Sequence, residues 1–220
     1  MLLATESFKY ELKSPLKNRY KMENIKVFNR WGVEGITVQD PGLKRYINLE
    51  PKIIPKTGSR YAGSRFHKSR VFIIERLINK VMVPGHKGKK HFISSGNSTG
   101  KAQTACSIVE ETLSIIEKRI KQNPIAVFVK ALENAAPREE IITIEYGGAR
   151  YPKSIECAPQ RRVDVALRYM VQGAFAKSFN SKKGAVNALA DEIIAAYQLS
   201  NSSNAIKKKL DAERQADASR

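Results

Sequence analysis

The chain has 220 residues, 42% of them hydrophobic and 27% charged, which is enough to close a core in one domain, or one with an appendage, and excludes wholesale disorder. Against 21 Asp and Glu stand 39 Lys and Arg, a formal net charge of +18 with a pI near 9.9, so the expected partner is a polyanion. Met1-Leu2-Leu3-Ala4 is too short for a secretory leader and is interrupted by Glu6, no run spans a membrane, and Cys106 and Cys157 make neither a disulfide framework nor a zinc pair, which points to a reduced cytoplasmic setting.

Residues 1–60 lack a helical period. Trp31, the turn-like Asp40-Pro41-Gly42, Pro51, Pro55 and Gly58 predict an extended basic N-terminal arm with short strands. From His67 the pattern changes: Val71, Ile74, Leu77, Ile78 and Val81 form one helical face that ends before Pro84-Gly85, with Arg70, Arg76 and Lys80 on or beside the other face. Residues 84–100 read as a loop rich in glycine and lysine. Ala105, Val109, Leu113, Ile116 and Ile120 give a second helix, and Asn123-Pro124 starts a third that runs through Leu132. Then β-formers take over. Ile141, Ile142, Thr143, Ile144 and Tyr146 lead through Gly147-Gly148 to residues 151–157, a hairpin at about 139–157 in which Glu145 faces Arg150 and Ile144 faces Tyr151. Pro152 demands an edge strand, and a hairpin this long in a helical chain should project.

Pro159 opens a fourth helix with Val163, Leu167, Met170, Val171, Ala174 and Phe175 inward and an exposed Asp164–Arg168 pair. Ser181 is placed to cap a fifth, with Val186, Leu189, Ala190, Ile193 and Tyr197 inward. A weakly amphipathic last helix over residues 204–217 carries Lys207-Lys208-Lys209. The expected fold class is therefore mainly α, with a helical domain over residues 61–220 behind an arm over residues 1–60.

Charge is unevenly spread. Residues 61–100 carry eight basic side chains and one acidic, whereas residues 101–150 carry seven of each. Residues 52–90 hold eleven basic residues with Glu75 the only acid, a one-sign field suited to phosphate neutralisation. Catalytic signals are weak. Gly96 and Gly100 have three residues between them, where a P-loop has four, and Ala102 replaces the Mg²⁺-binding hydroxyl, so the loop suits an anion but not nucleotide hydrolysis. His67, His86 and His91 sit among cations that repel a metal, and Glu110-Glu111 and Glu139-Glu140 are neighbours that diverge. No catalytic residue, metal site or cofactor is expected. Arg161-Arg162 and Lys182-Lys183 oppose the helix dipole in first turns, which suits guanidinium or ammonium groups that face phosphates. Tyr61, Phe66, Tyr146 and Tyr151, set among cations, are candidates for stacking on bases.

Several separate runs carry a resemblance. Asp40-Pro41-Gly42-Leu43-Lys44-Arg45-Tyr46-Ile47-Asn48-Leu49, Glu75-Arg76-Leu77-Ile78-Asn79-Lys80, Ala131-Leu132-Glu133-Asn134-Ala135-Ala136-Pro137-Arg138-Glu139, Tyr146-Gly147-Gly148-Ala149-Arg150-Tyr151-Pro152, Ala158-Pro159-Gln160-Arg161-Arg162 and Ala205-Ile206-Lys207-Lys208-Lys209 resemble, in order over residues 25–220, the small-subunit ribosomal protein seven family in its archaeal form. The resemblance implies a six-helix bundle with a protruding β-hairpin. It implies a non-catalytic, cytoplasmic ribosomal protein that binds the 3′ major domain of small-subunit rRNA and nucleates assembly of the subunit head. It also implies a hairpin near the mRNA exit and E-site tRNA, and ribosomal protein eleven beside the last helix. Implied RNA contacts are Arg60, Arg65, Lys68, Arg70, Arg76 and Lys80, the lysine loop with Lys87, Lys89, Lys90 and Lys101, the hairpin residues Tyr146, Arg150, Tyr151 and Lys153, and Arg161 with Arg162. Ile144-Glu145 stand where bacterial members carry two arginines.

Overall fold

The computed structural model describes residues 25–87, 92–93 and 98–220. Lys89, Lys90, His91 and the first half of the Gly96–Gly100 loop therefore lie outside the described residues, as does the arm before residue 25. Six α-helices are described: α1 Ile73–Val81, α2 Ala102–Ile120, α3 Pro124–Ala135, α4 Pro159–Ser178, α5 Ala185–Tyr197 and α6 Asn204–Ala218. Two-residue strands β1 His86–Lys87 and β2 Phe92–Ile93 pair with each other, and β3 Glu139–Tyr146 pairs antiparallel with β4 Ala149–Glu156. None of these helices is long and apolar enough to cross a membrane.

The central helix is α5, which packs on α2, α3, α4 and α6. Its small residues Ala188, Ala190 and Ala196, with Leu189 and Ile193, are buried and let four neighbours approach. In its second half Glu192, with no exposure, accepts hydrogen bonds from Lys177 Nζ (2.7 Å), Ser203 Oγ (2.8 Å) and the Ala205 N–H (3.1 Å). A buried carboxylate is tolerable when ion-paired and hydrogen-bonded in this way, and it satisfies a free N–H at the start of α6. Gly173 on α4 makes room for it, since a Cβ there would lie 2.8 Å from Glu192 Cδ.

Three local expectations need correction. The first helix begins at Ile73, later than the apolar period suggested, because Phe72 pairs with Asn48 and the Ile73 N–H bonds Asn48 O at 3.0 Å; a 3₁₀ turn over His67–Arg70 precedes it. Ser181 does not cap α5. Its hydroxyl donates to Lys177 O and accepts from the Lys183 N–H, which closes the turn after α4, and Gly184 takes the N-cap position. Asp164 forms no exposed pair with Arg168. It turns instead to Lys68 at 2.9 Å and Arg76 at 3.2 Å.

The stretch 25–49 also differs from a free arm. Val27, Trp31, Val33, Leu43 and Ile47 are all buried in the same core as the helices. Each such side chain contributes ~1.5–3 kcal/mol when buried, which holds a segment that has almost no regular structure. Polar bonds fix its course: Trp31 Nε1 donates to Glu117 (3.0 Å), Asn123 Nδ2 to Gly32 O (2.7 Å), and the Gln39 and Asp40 N–H groups to Glu133 Oε1. These residues and the helices share one core.

The hairpin has the expected register, with Glu145 opposite Arg150 and Ile144 opposite Tyr151. Gly147 and Gly148 have φ of 57° and 81°, the paired positive values of a type I′ turn. Its root is half-buried against α6 and its distal part is exposed on both strands.

Candidate RNA-binding surface

Whether a cation can meet a phosphate depends on what already neutralises it. Arg161 stands 55% exposed at the start of α4, yet its guanidinium forks onto both oxygens of Glu140 at 2.5 and 2.7 Å. That hydrogen bond first, against burial, holds Glu140 below the usual carboxylate range. Beside it, Cys157 is pushed up to about 11 by burial and then by Glu140, so the thiol stays protonated and unreactive at neutral pH. Arg162 points the other way. With its side chain only 11% exposed, it donates to Pro137 O at 2.9 Å and Asp40 at 2.8 Å, and so clamps segment 25–49 to the hairpin root. Burial raises Asp40, but the Arg162 hydrogen bond and the Gly42 N–H outweigh it, and the carboxyl lies below its ordinary value.

Arg76 is likewise a structural cation. It is 4% exposed, and it bonds Tyr46 O at 2.9 Å and Asp164 at 3.2 Å. Burial pulls Arg76 down against the pull of Asp164, while burial raises Asp164 and is outweighed by Lys68, Arg76 and Lys80. The guanidinium remains charged, as arginine does in proteins, so the network presents its positive charge inward. Arg76 and Arg162, both expected at RNA, thus direct their guanidiniums to partners within the fold.

A different group is left without acids. Arg60, Arg65 and Arg70 are exposed and make no ion pair among the described residues. Arg65 lies over the exposed Phe66 ring at 5.1 Å, and Lys52 over Tyr61 at 5.9 Å. Lys68 is 45% exposed despite its bond to Asp164, and Lys80 is half-buried. Lys101 is exposed at the N-terminus of α2, and Lys87 lies in β1, with its side chain outside the description. Lysines 89 and 90 are likewise outside it. On the hairpin, Tyr146 (81% exposed), Tyr151 (58%) and Lys153 are free to meet a partner, and Arg150 makes only a loose pair with Glu145 at 3.6 Å, itself exposed.

Arg45 was missed by the sequence reading. It lines a cleft of about 400 Å³ with Arg70, Tyr61 and Asn48. Its signal was present, since Arg45 falls in one of the diagnostic runs, but it lies before the dense basic stretch. The structure thus brings Arg45, Arg70 and Tyr61 together in a cleft that Glu50 also lines, with Lys52 over the same Tyr61 ring.

This surface sits in a chain whose residues 43–220 match the family described as ribosomal protein S7p/S5e. The chain belongs to that family. It is 55% identical over 196 residues to the small ribosomal subunit protein uS7 of Nanoarchaeum equitans, covering 89% of this chain and 99% of that protein. It is 44% identical to uS7 of Methanothrix thermoacetophila over 89% of this chain and all of the relative. The corresponding protein of Archaeoglobus fulgidus is 43% identical over 93% of this chain and its own full length. The buried Leu43 and Ile47 fall within the family match, whereas Val27 and Trp31 precede it.

Proposed function

We propose that this protein is a structural, non-catalytic constituent of the small ribosomal subunit that grips small-subunit rRNA through the strongly basic surface built by residues 45–70, in which Glu50 is the single acid. The observation that carries the reading is selective neutralisation: Arg76 and Arg162 are paired inside the fold and Arg161 to Glu140, while Arg60, Arg65 and Arg70 face outward unpaired among the described residues. Unpaired cations release condensed counterions when they meet phosphates. The exposed rings of Phe66, Tyr146 and Tyr151 supply faces on which splayed bases stack.

The finer reading follows the family resemblance. The rRNA target is the 3′ major domain, whose folding the protein nucleates in the subunit head. The projecting hairpin lies near the mRNA exit and E-site tRNA, and α6 faces ribosomal protein eleven. Binding of the full chain to a transcript of that rRNA domain, titrated from low to physiological salt, tests it. Each phosphate contact contributes about 0.7–0.9 to the log–log slope, so the exposed cations predict a steep decline. A slope near zero, or equal binding to duplex DNA at physiological salt, would reject rRNA recognition.

A further inference from the structure

The hairpin leaves the helices through two short links, Ala136-Pro137-Arg138 after α3 and Cys157-Ala158 before α4. Its strands have eight residues each. At ~3.3 Å per residue they carry the turn about 26 Å from the root, so a tilt of about 10° at the root moves the tip by about 4–5 Å. Beyond Ile141 on β3 and ahead of Ser154 on β4 both strands are exposed, and a two-stranded ribbon has little rigidity of its own. Its direction is therefore set where it meets the body.

Two sets of contacts converge there. From α4, Arg161 holds Glu140 and Arg162 holds Pro137 O. From α6, which packs against both strands, Glu213 Oε1 accepts the Arg138 N–H at 3.0 Å and Arg220 donates to Glu139 Oε1 at 2.6 Å. The second oxygen of Glu139 accepts from Ser154 Oγ at 3.2 Å, which carries the connection across to β4. Asp217, one turn back, lies 3.4 Å from the same guanidinium and helps to hold it on this side of the helix. These contacts contribute little to the helix bundle. Between Ile206 and Ala216 no side chain of α6 is buried. The Arg220–Glu139 pair is itself 62% and 27% exposed, where an ion pair adds little stability. Their placement suits them to orient the root, not to hold the core together.

We infer that the last two turns of α6 are a strap that fixes the angle at which the hairpin projects, acting through Glu213 on Arg138 and through Arg220 on Glu139 and Ser154. The tip, with Tyr146, Arg150 and Tyr151, is thereby offered to its ligand at one place, and a pre-aimed group loses less freedom on binding.

Pulsed electron spin resonance on the full chain measures the angle as a distance. Nitroxides are attached at Ala149→Cys beside the turn and Glu111→Cys on α2, both exposed positions, with Cys106→Ser removing the half-buried thiol and the buried Cys157 left in place. The labelled parent chain gives one narrow distance. Glu213→Ala combined with Arg220→Glu broadens or shifts it by about 4–5 Å, with the melting temperature of the bundle unchanged. Glu139→Arg combined with Arg220→Glu restores an ion pair of reversed sense and narrows the distribution again. The same distance in all three chains would overturn the inference, because the α4 arginines would then aim the hairpin alone. A distribution already broad in the parent chain would overturn it as well. So would a lowered melting temperature for Glu213→Ala with Arg220→Glu, since the contacts would then belong to the stability of the bundle.

Discussion

Arg161 and Arg162 are neighbours in sequence with opposite expected roles, and Arg162→Ala measures the difference. Arg162 is almost enclosed, and its guanidinium holds Pro137 O and Asp40 at 2.9 and 2.8 Å. A hydrogen bond that involves a charged group is worth ~1.5–3 kcal/mol, but Asp40 remains 26% exposed, so water recovers part of what it loses. A loss of about 2–3 kcal/mol is expected for the two bonds together, which for a chain of this size lowers Tm by about 4–12 °C. Arg161→Ala removes shorter bonds, yet those bonds lie in solvent at 55% exposure, where an ion pair is worth ~0–1 kcal/mol. Thermal and urea melts of the two variants at pH 7 give the comparison.

The pH dependence adds a second check. Asp40 is held below its ordinary 3.8 in the folded state, so its contribution is complete above that value and disappears as pH falls through the lower folded value. The gap between wild type and Arg162→Ala therefore stays constant from pH 7 to about 5 and narrows below about 4. Equal losses from Arg161→Ala and Arg162→Ala, or a gap that widens in acid, would refute the assignment of one arginine to the fold and the other to the surface.

Two further outcomes follow from buried polar contacts. Gly173→Ala places a Cβ 2.8 Å from Glu192 Cδ and Asn204 Cβ, and should cost about 1–3 kcal/mol by overpacking; hydrogen exchange should show α6 loosening first. Asp164→Asn leaves Arg76 buried without its carboxylate, a loss of about 3–5 kcal/mol in denaturant melts at pH 7. Because Lys68, Arg76 and Lys80 outweigh burial and keep Asp164 below its ordinary 3.8, wild-type stability from this group is present above that pH and lost beneath it, and the two proteins should converge in acid.

Local chemistry was enough for most elements. Asn123-Pro124 starts α3, where Asn123 Oδ1 accepts the Ile125 N–H at 3.0 Å, and Gly147-Gly148 places the hairpin turn and hence every facing pair along it. The excess of positive charge, and its concentration after residue 52, are also properties of composition alone. Such signals act over a few residues, which is the range across which caps, turns and helical periods operate. Which cations remain available could not be read in this way. Arg162 is neutralised by Asp40 across 122 positions, and Lys68 is drawn to Asp164 across 96, so only folding brings the partners within ion-pairing distance. The same holds for segment 25–49, whose Leu43 and Ile47 show no period of their own and are buried because helices far along the chain present a core to receive them. Sequence set the amount of charge and the elements that carry it; tertiary packing selected the part that stays exposed, since Coulomb attraction and burial depend on distance in space and not on order along the chain.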